Sequence, residues 1–313
     1  MHKRWRGKRV GLALGSGGAR GWAHLGVIEV LTEQGIEIEC IAGTSMGAIV
    51  GSFLAAGRIE ALRELADHLD WRRIRQFLWE ISLSRSGLTD GRRFMEEAEN
   101  MLGLNQFRSL KVPFSAVATD LDTGGEAVLN TGHLLQAIRA SLSIPGLFAP
   151  VRIGRRLLVD GGLVNPVPVN VVRDMGAKTV ISVDVSQHVG EEPKPSRPKK
   201  EPRAAPKKLT LPKPGKGEES EGPLQVLEHF FQEIESKVRD WKEAWESEAM
   251  PDMVEVLVRS VRIMEAQIAL ARRRLEPPDL LIEPQVGTIG TLDFQRAADA
   301  IAAGRTAAMA ALT

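Results

Sequence analysis

From Cys40 to Gly57 the chain runs 18 residues without a charged side chain. That length is the minimum for a membrane-spanning helix, and Gly47 and Gly51 even form a Gly-x-x-x-Gly pair. The run also carries Thr44, Ser45, Ser52 and four glycines, so it reads better as a buried strand, a tight turn and a helix packed closely on a sheet. The turn is Gly43-Thr44-Ser45-Met46-Gly47. A Gly-x-Ser-x-Gly at a strand-to-helix junction is a nucleophile elbow: glycines let the chain turn without a Cβ clash and leave the serine hydroxyl exposed above the helix N-terminus. Ser45 is therefore the candidate nucleophile. The plainer alternative is a serine N-cap on a buried helix.

The surrounding pattern is alternating. Val10 to Leu14 reads as a strand, Gly15-Ser16-Gly17-Gly18 as a loop, Ala19 to Gln34 as a helix and Ile36 to Ala42 as the strand before the elbow. Strands at 112–119, 156–159, 179–185 and 279–283 and helices at 132–141, 167–175 and 292–311 continue it. Alternation of this kind predicts an α/β fold with a mostly parallel central sheet and right-handed crossovers. Both glycine-rich loops then lie at the carboxyl edge of the sheet, where such folds bind ligands. Residues 190–222 are dense in Pro, Lys and Glu and read as a disordered loop. Two helical stretches follow, 224–248 and 252–275, the second with an apolar stripe of Val254, Val258, Val261, Met264, Ile268 and Leu275. The expected organisation is thus a catalytic core over 1–189, a loop over 190–222, a helical insertion over 223–275, and a final strand and helix over 276–313 that complete the core.

Composition excludes several classes. Lys and Arg number 41 against 40 Asp and Glu, so no global field steers the chain to nucleic acid. A single cysteine, Cys40, cannot form an internal disulfide and suits a reducing compartment. The basic start, Met1 to Arg9, leads into an apolar run too short for a signal-peptide core, so the expected location is the cytoplasm. No cofactor motif or metal-ligand cluster is visible, and activity independent of metal is expected.

A serine hydroxyl needs a base to take its proton and donors to hold the oxyanion it creates. The loop Gly15 to Gly21 sets free backbone N–H groups at a helix N-terminus, which favours negative charge. A nucleotide cradle is the rival reading, but Arg20 occupies the third glycine position of Gly-x-Gly-x-x-Gly, and no Gly-Lys-Ser/Thr occurs. For the base, Asp160 ends a strand and precedes Gly161-Gly162, at the same sheet edge as Ser45. Asp120 and Asp122 share that edge in a turn-rich sequence and read as turn caps. His188 would complete the order Ser45, Asp160, His188 of an α/β-hydrolase triad, but it borders the 190–222 loop. His24 reads as a packed helix residue.

These residues resemble the patatin-like phospholipases, in the bacterial branch near the catalytic domain of neuropathy target esterase. The likeness rests on Gly17-Gly18-Ala19-Arg20-Gly21, Gly43-Thr44-Ser45-Met46-Gly47, Ser143-Ile144-Pro145-Gly146 and Asp160-Gly161-Gly162, and spans 9–185 with 278–283 as a late strand. It implies a patatin-like three-layer fold, flanking helices on a mostly parallel sheet, and a serine acyl-ester hydrolase with a Ser45–Asp160 dyad. It further implies an oxyanion hole at Gly17, Gly18 and Ala19, Arg20 near the anionic head of a lipid, a phospholipid or lysophospholipid substrate, and no histidine in the mechanism. Two departures stand out: Ser16 occupies a position usually glycine, and the aspartate motif is Asp-Gly-Gly rather than Asp-Gly-Ala.

A lipid hydrolase meets its substrate at an interface. Trp71 to Leu83 has Trp71, Ile74, Phe77, Leu78 and Ile81 on one helical face beside Arg72, Arg73 and Arg75, as a lid helix or an interfacial helix would. Trp5 among basic residues is a second candidate contact, at the inner face of the membrane. The 252–275 stripe is compatible with pairing between chains and leaves the oligomeric state open. The alternative to an enzyme is an adaptor that uses the fold for binding, with 190–275 as its partner surface.

Overall fold

The computed structural model describes residues 8–68, 92–186 and 253–313. Within them β1 (Arg9–Leu14) leads through a 3-10 turn (Gly18–Trp22) to α1 (Ala23–Glu33), β2 (Glu37–Thr44), α2 (Met46–Ala56) and α3 (Ile59–Asp67). After α4 (Arg92–Leu102) come β3 (Phe114–Asp120), β4 (Glu126–Leu129), α5 (Leu134–Ser141), β5 (Val151–Ile153) and β6 (Arg156–Asp160). The chain continues through α6 (Val169–Asp174), β7 (Val180–Val183), α7 (Met253–Leu275), β8 (Leu280–Ile282) and α8 (Ala297–Leu312). His188, the 71–83 stretch, the 190–222 loop and the first of the two late helical stretches lie outside the described residues.

The sheet follows the pairing path β5–β6–β3–β2–β1–β7–β8, with β4 also on β3. Strands β3, β2, β1, β7 and β8 are parallel; β4 and β6 run antiparallel to β3, and β5 antiparallel to β6. Helices cover both faces. Along β1, Val10, Leu12 and Leu14 join one apolar cluster with α1, α2, α5 and α8, while Ala13 joins Cys40, Ala42 and Val117 in a second cluster under Val169, Val171 and Val172 of α6. This is the alternation of strands buried on both faces, and it explains why β1 reads as an unbroken apolar run. The hairpin partners β4 and β5 were not legible in the sequence; both are short and half-exposed.

One detail of the register positions the site. Ala118 and Thr119 of β3 pair with both β4 and β6, and Ala116 and Val117 pair with both β2 and β4. A strand residue has one partner on each edge, so β2 and β6 share the edge of β3 opposite β4. They arrive from opposite directions and meet end to end, Thr44 opposite Val117 and Asp160 opposite Ala118.

Helix α7 departs from the expected insertion. Residues 254–313 form one compact unit with the core. Its inward face departs from the apolar stripe: Met264 and Leu275 are exposed, and of the stripe Val261 is buried, together with Arg262, Glu265, Ala266 and Ala269. The hydropathy pattern fails because this face lies against polar groups that satisfy charged side chains. Arg272 anchors the helix, donating from Nε to Val164 O at 2.8 Å and pairing with Glu126 at 3.2 Å.

Candidate active site

Ser45 is the one non-glycine residue with positive φ among those described, at φ 55° and ψ −122°. Such a conformation costs about 1–3 kcal/mol and persists only where its surroundings over-determine it. They do so here. The Ser45 N–H donates to Ser141 Oγ at 2.9 Å, and Ser141 Oγ donates to Val117 O at 2.5 Å. Thr44 Oγ1 donates to Asn165 O at 2.8 Å. A Cβ on Gly43 would collide with Gly47 O, and one on Gly47 with Leu14 O, so both glycines of the elbow are fixed by close backbone approach.

The Ser45 hydroxyl donates to Asp160 Oδ2 at 2.7 Å. Asp160 Oδ1 accepts from the Gly162 N–H at 2.8 Å, its carbonyl accepts from Thr119 Oγ1 at 2.7 Å, and its N–H donates to Ser143 O at 3.0 Å. Every polar group of the residue is thus held, and the side chain is 0 % exposed. Burial pushes the carboxyl up to about 6, against the lowering effect of the Ser45 hydroxyl and the Gly162 amide. A carboxylate raised in this way is a stronger base than one in water.

The glycine loop after β1 lies against the elbow: a Cβ on Gly21 would collide with the side chain of Met46, the residue that follows Ser45. Its backbone is tied down at Gly15 N–H to Val183 O (3.0 Å) and Ser16 N–H to Pro166 O (2.8 Å). Gly15 O faces His24 Nε2 at 2.8 Å, so that nitrogen carries the ring proton, and burial pulls the His24 imidazolium down to about 4. His24 is a neutral, packed loop support. Of the three amides expected to face an oxyanion, Ala19 N–H is already given to Thr291 O at 2.9 Å. The amides of Gly17 and Gly18 bond to no described residue. Gly18 has φ 56°, and a side chain there would collide with Thr291 O.

Comparison with known proteins gives the family. The profile of the patatin-like phospholipase family matches residues 12–173. The chain belongs to the patatin-like phospholipase family. It is 37% identical to an uncharacterized NTE family protein of Mycobacterium tuberculosis, over 97% of this chain and 91% of that one. A second such protein of M. tuberculosis is 33% identical over the whole chain and 48% of its own length. The mouse patatin-like phospholipase domain-containing protein 6 is 31% identical over 57% of this chain and 14% of its own. Membership of this patatin-like family supports a lipid-hydrolase function and a lipid substrate. No helix among the described residues is long and apolar enough to cross a membrane.

Against the expectation that Arg20 meets a lipid head group, its guanidinium is inside the patatin-like core. It is 1 % exposed, and its Nε donates to Gly17 O at 3.2 Å. Buried there, it is a brace for the glycine loop. Asp120 is a turn cap, its Oδ1 accepting from the N–H groups of Asp122 and Thr123 at 3.1 and 3.3 Å. Sequence reasoning missed Glu265 of α7, which is 8 % exposed and faces Asp160, Arg20 and Arg262. The one signal available was two charges, Arg262 and Glu265, at helical spacing on one face. Among the described residues, no group of His, Cys, Asp and Glu could hold a metal ion.

Proposed function

We propose that the chain is a serine acyl-ester hydrolase of phospholipids or lysophospholipids, a cytoplasmic protein that meets the membrane peripherally. The observation that carries this reading is the 2.7 Å hydrogen bond from Ser45 Oγ, on a strained elbow, to a buried carboxylate of raised basicity. Asp160 Oδ2 takes the hydroxyl proton as Ser45 Oγ bonds to the ester carbonyl carbon. The carbonyl oxygen becomes an oxyanion held by the amides of Gly17 and Gly18. Collapse of this intermediate breaks the ester C–O bond, and protonated Asp160 gives its proton to the leaving alcohol. A water then enters, loses its proton to Asp160, attacks the acyl-Ser45 carbonyl and releases the fatty acid, with the proton returning to Ser45. No third group is required, because the carboxylate bonds the hydroxyl directly and is itself oriented by the Gly162 amide.

Hydrolysis of lysophospholipid and of a short-chain p-nitrophenyl ester by wild type, Ser45→Ala and Asp160→Asn, each checked for folding, tests the reading. Loss of at least about a thousandfold in kcat for both variants is expected, as for other nucleophile and base deletions. Near-normal activity in Asp160→Asn would overturn it.

A further inference from the structure

Helix α7 lies outside the 12–173 segment matched to the family, yet it reaches the core of the site. A methyl group on Gly162 would collide with Glu265 Oε1 and stand 2.8 Å from Glu265 Cδ, so the carboxyl group of Glu265 is seated on the α-carbon of Gly162. The N–H of that same glycine orients Asp160. Glu265 also faces the charge of Arg20, which braces Gly17. Ser16, whose hydroxyl is buried, lies beside it and favours its charged form. Ser16 and Gly162 belong to the two loops that carry the site. Both face one side chain.

We propose that Glu265 is a positioning residue of the site: from α7 it locks the loop that carries Asp160 to the loop that carries the Gly17 and Gly18 amides. The inference rests on the reading of Ser45 and Asp160 as nucleophile and base. The charged groups that face Glu265 are Asp160 at the end of β6, Arg20 from the loop after β1, and Arg262 on its own helix. Burial, then the charge of Asp160, pushes its carboxyl up to about 8, while Arg20, Arg262 and Ser16 act in the opposite sense. Both oxygens of Asp160 accept hydrogen bonds, from Ser45 Oγ and the Gly162 N–H, so Glu265 is the member of the pair that favours the proton. Above the Glu265 titration a second negative charge stands beside Ser16, next to the amides where the oxyanion forms, and slows acylation.

The test reads the rate of fluorophosphonate labelling of Ser45 from pH 5 to pH 10 in wild type and Glu265→Gln. In wild type the rate is expected to rise as Asp160 ionises and to fall about tenfold between neutral pH and one unit above the Glu265 titration. Glu265→Gln keeps the rise and loses the fall. Labelling in both proteins with superimposable profiles overturns the role of Glu265 and leaves the dyad standing. No labelling of wild type at any pH overturns the nucleophile reading, and the positioning role with it. Thermal unfolding of Gly162→Ala, Glu265→Ala and the double variant reads the seating without any chemistry. Gly162→Ala should lower Tm clearly in the wild-type background and much less once Glu265 is removed. Additive shifts would show that the carboxyl is not seated on Gly162 and overturn the lock.

Discussion

Ser45 and Asp160 are 115 residues apart in the chain, and their side-chain oxygens are 2.7 Å apart. The cause is the sheet: β2 and β6 approach the same edge of β3 from opposite directions, so the residue after one strand meets the last residue of the other. A parallel pair of neighbouring strands would place two such residues side by side, about 4.8 Å apart across the ladder. End-to-end arrival brings them into hydrogen-bond contact, with Ser141 and Thr119 clamping the junction from α5 and β3.

The elbow stores strain that a glycine would release. At φ 55° and ψ −122°, Ser45→Ala keeps the unfavourable backbone and Ser45→Gly does not. Both variants lose the hydroxyl, so their difference isolates the backbone. Chemical denaturation should find Ser45→Gly more stable than Ser45→Ala by about 1 kcal/mol or more, with both inactive.

Activity should carry an acid limb set by Asp160. Its carboxyl is raised to about 6, and the base works only when ionised, so kcat/KM falls as pH drops through that value. Because the Ser45 hydroxyl lowers this titration, Ser45→Ala should move it upward. A carboxyl carbon-13 titration of Asp160 in wild type and Ser45→Ala would show the shift; a limb unchanged from the ordinary aspartate range would contradict the assignment.

Arg20 should prove structural. Arg20→Met removes the brace on Gly17 and one of the two cations facing Glu265. Losing one partner of a buried charge cluster typically costs about 3–5 kcal/mol, which urea unfolding would measure. The ratio of rates on anionic and zwitterionic lysophospholipids should stay the same in Arg20→Lys. A selective loss on anionic lipid would return Arg20 to the head group.

Stability should depend on pH through Glu265. Its carboxyl titrates near 8 in the fold and near 4.5 as a free side chain, so the folded state holds a proton that the unfolded chain has already lost. The stability this gives is complete below the unfolded value and is lost as pH rises through the folded one. Asp160 acts in the same direction up to about 6, and His24 in the opposite direction between about 4 and 6.5. Comparison with Glu265→Gln cancels the His24 contribution and leaves that of Glu265 with its coupling to Asp160. Across the window the stability difference should move in favour of the glutamine variant, on the order of a few kcal/mol.

What the sequence determined by itself is what sterics and periodicity make local. The uncharged run with its paired glycines required a strand, an elbow and a helix, because Gly43 and Gly47 admit the chain where any Cβ would strike backbone. The position of Asp160 before two glycines marked a strand end, but the parallel strand expected there is antiparallel to β3 and reaches Ser45 from the opposite direction. The tertiary structure decided which polar groups meet. No local pattern says that β2 and β6 share an edge, since register depends on pairings across the whole sheet. Nor does any local pattern give the Ala19 amide to Thr291 or bury Arg20. Helix α7 was misread for the same reason: apolar periodicity finds the face that would bury against hydrocarbon, whereas its inner face lies against Asp160 and Arg20, where Arg262 and Glu265 are the residues that fit. Burial of a charge follows from the partners that neutralise it, and here those partners come from three distant parts of the chain.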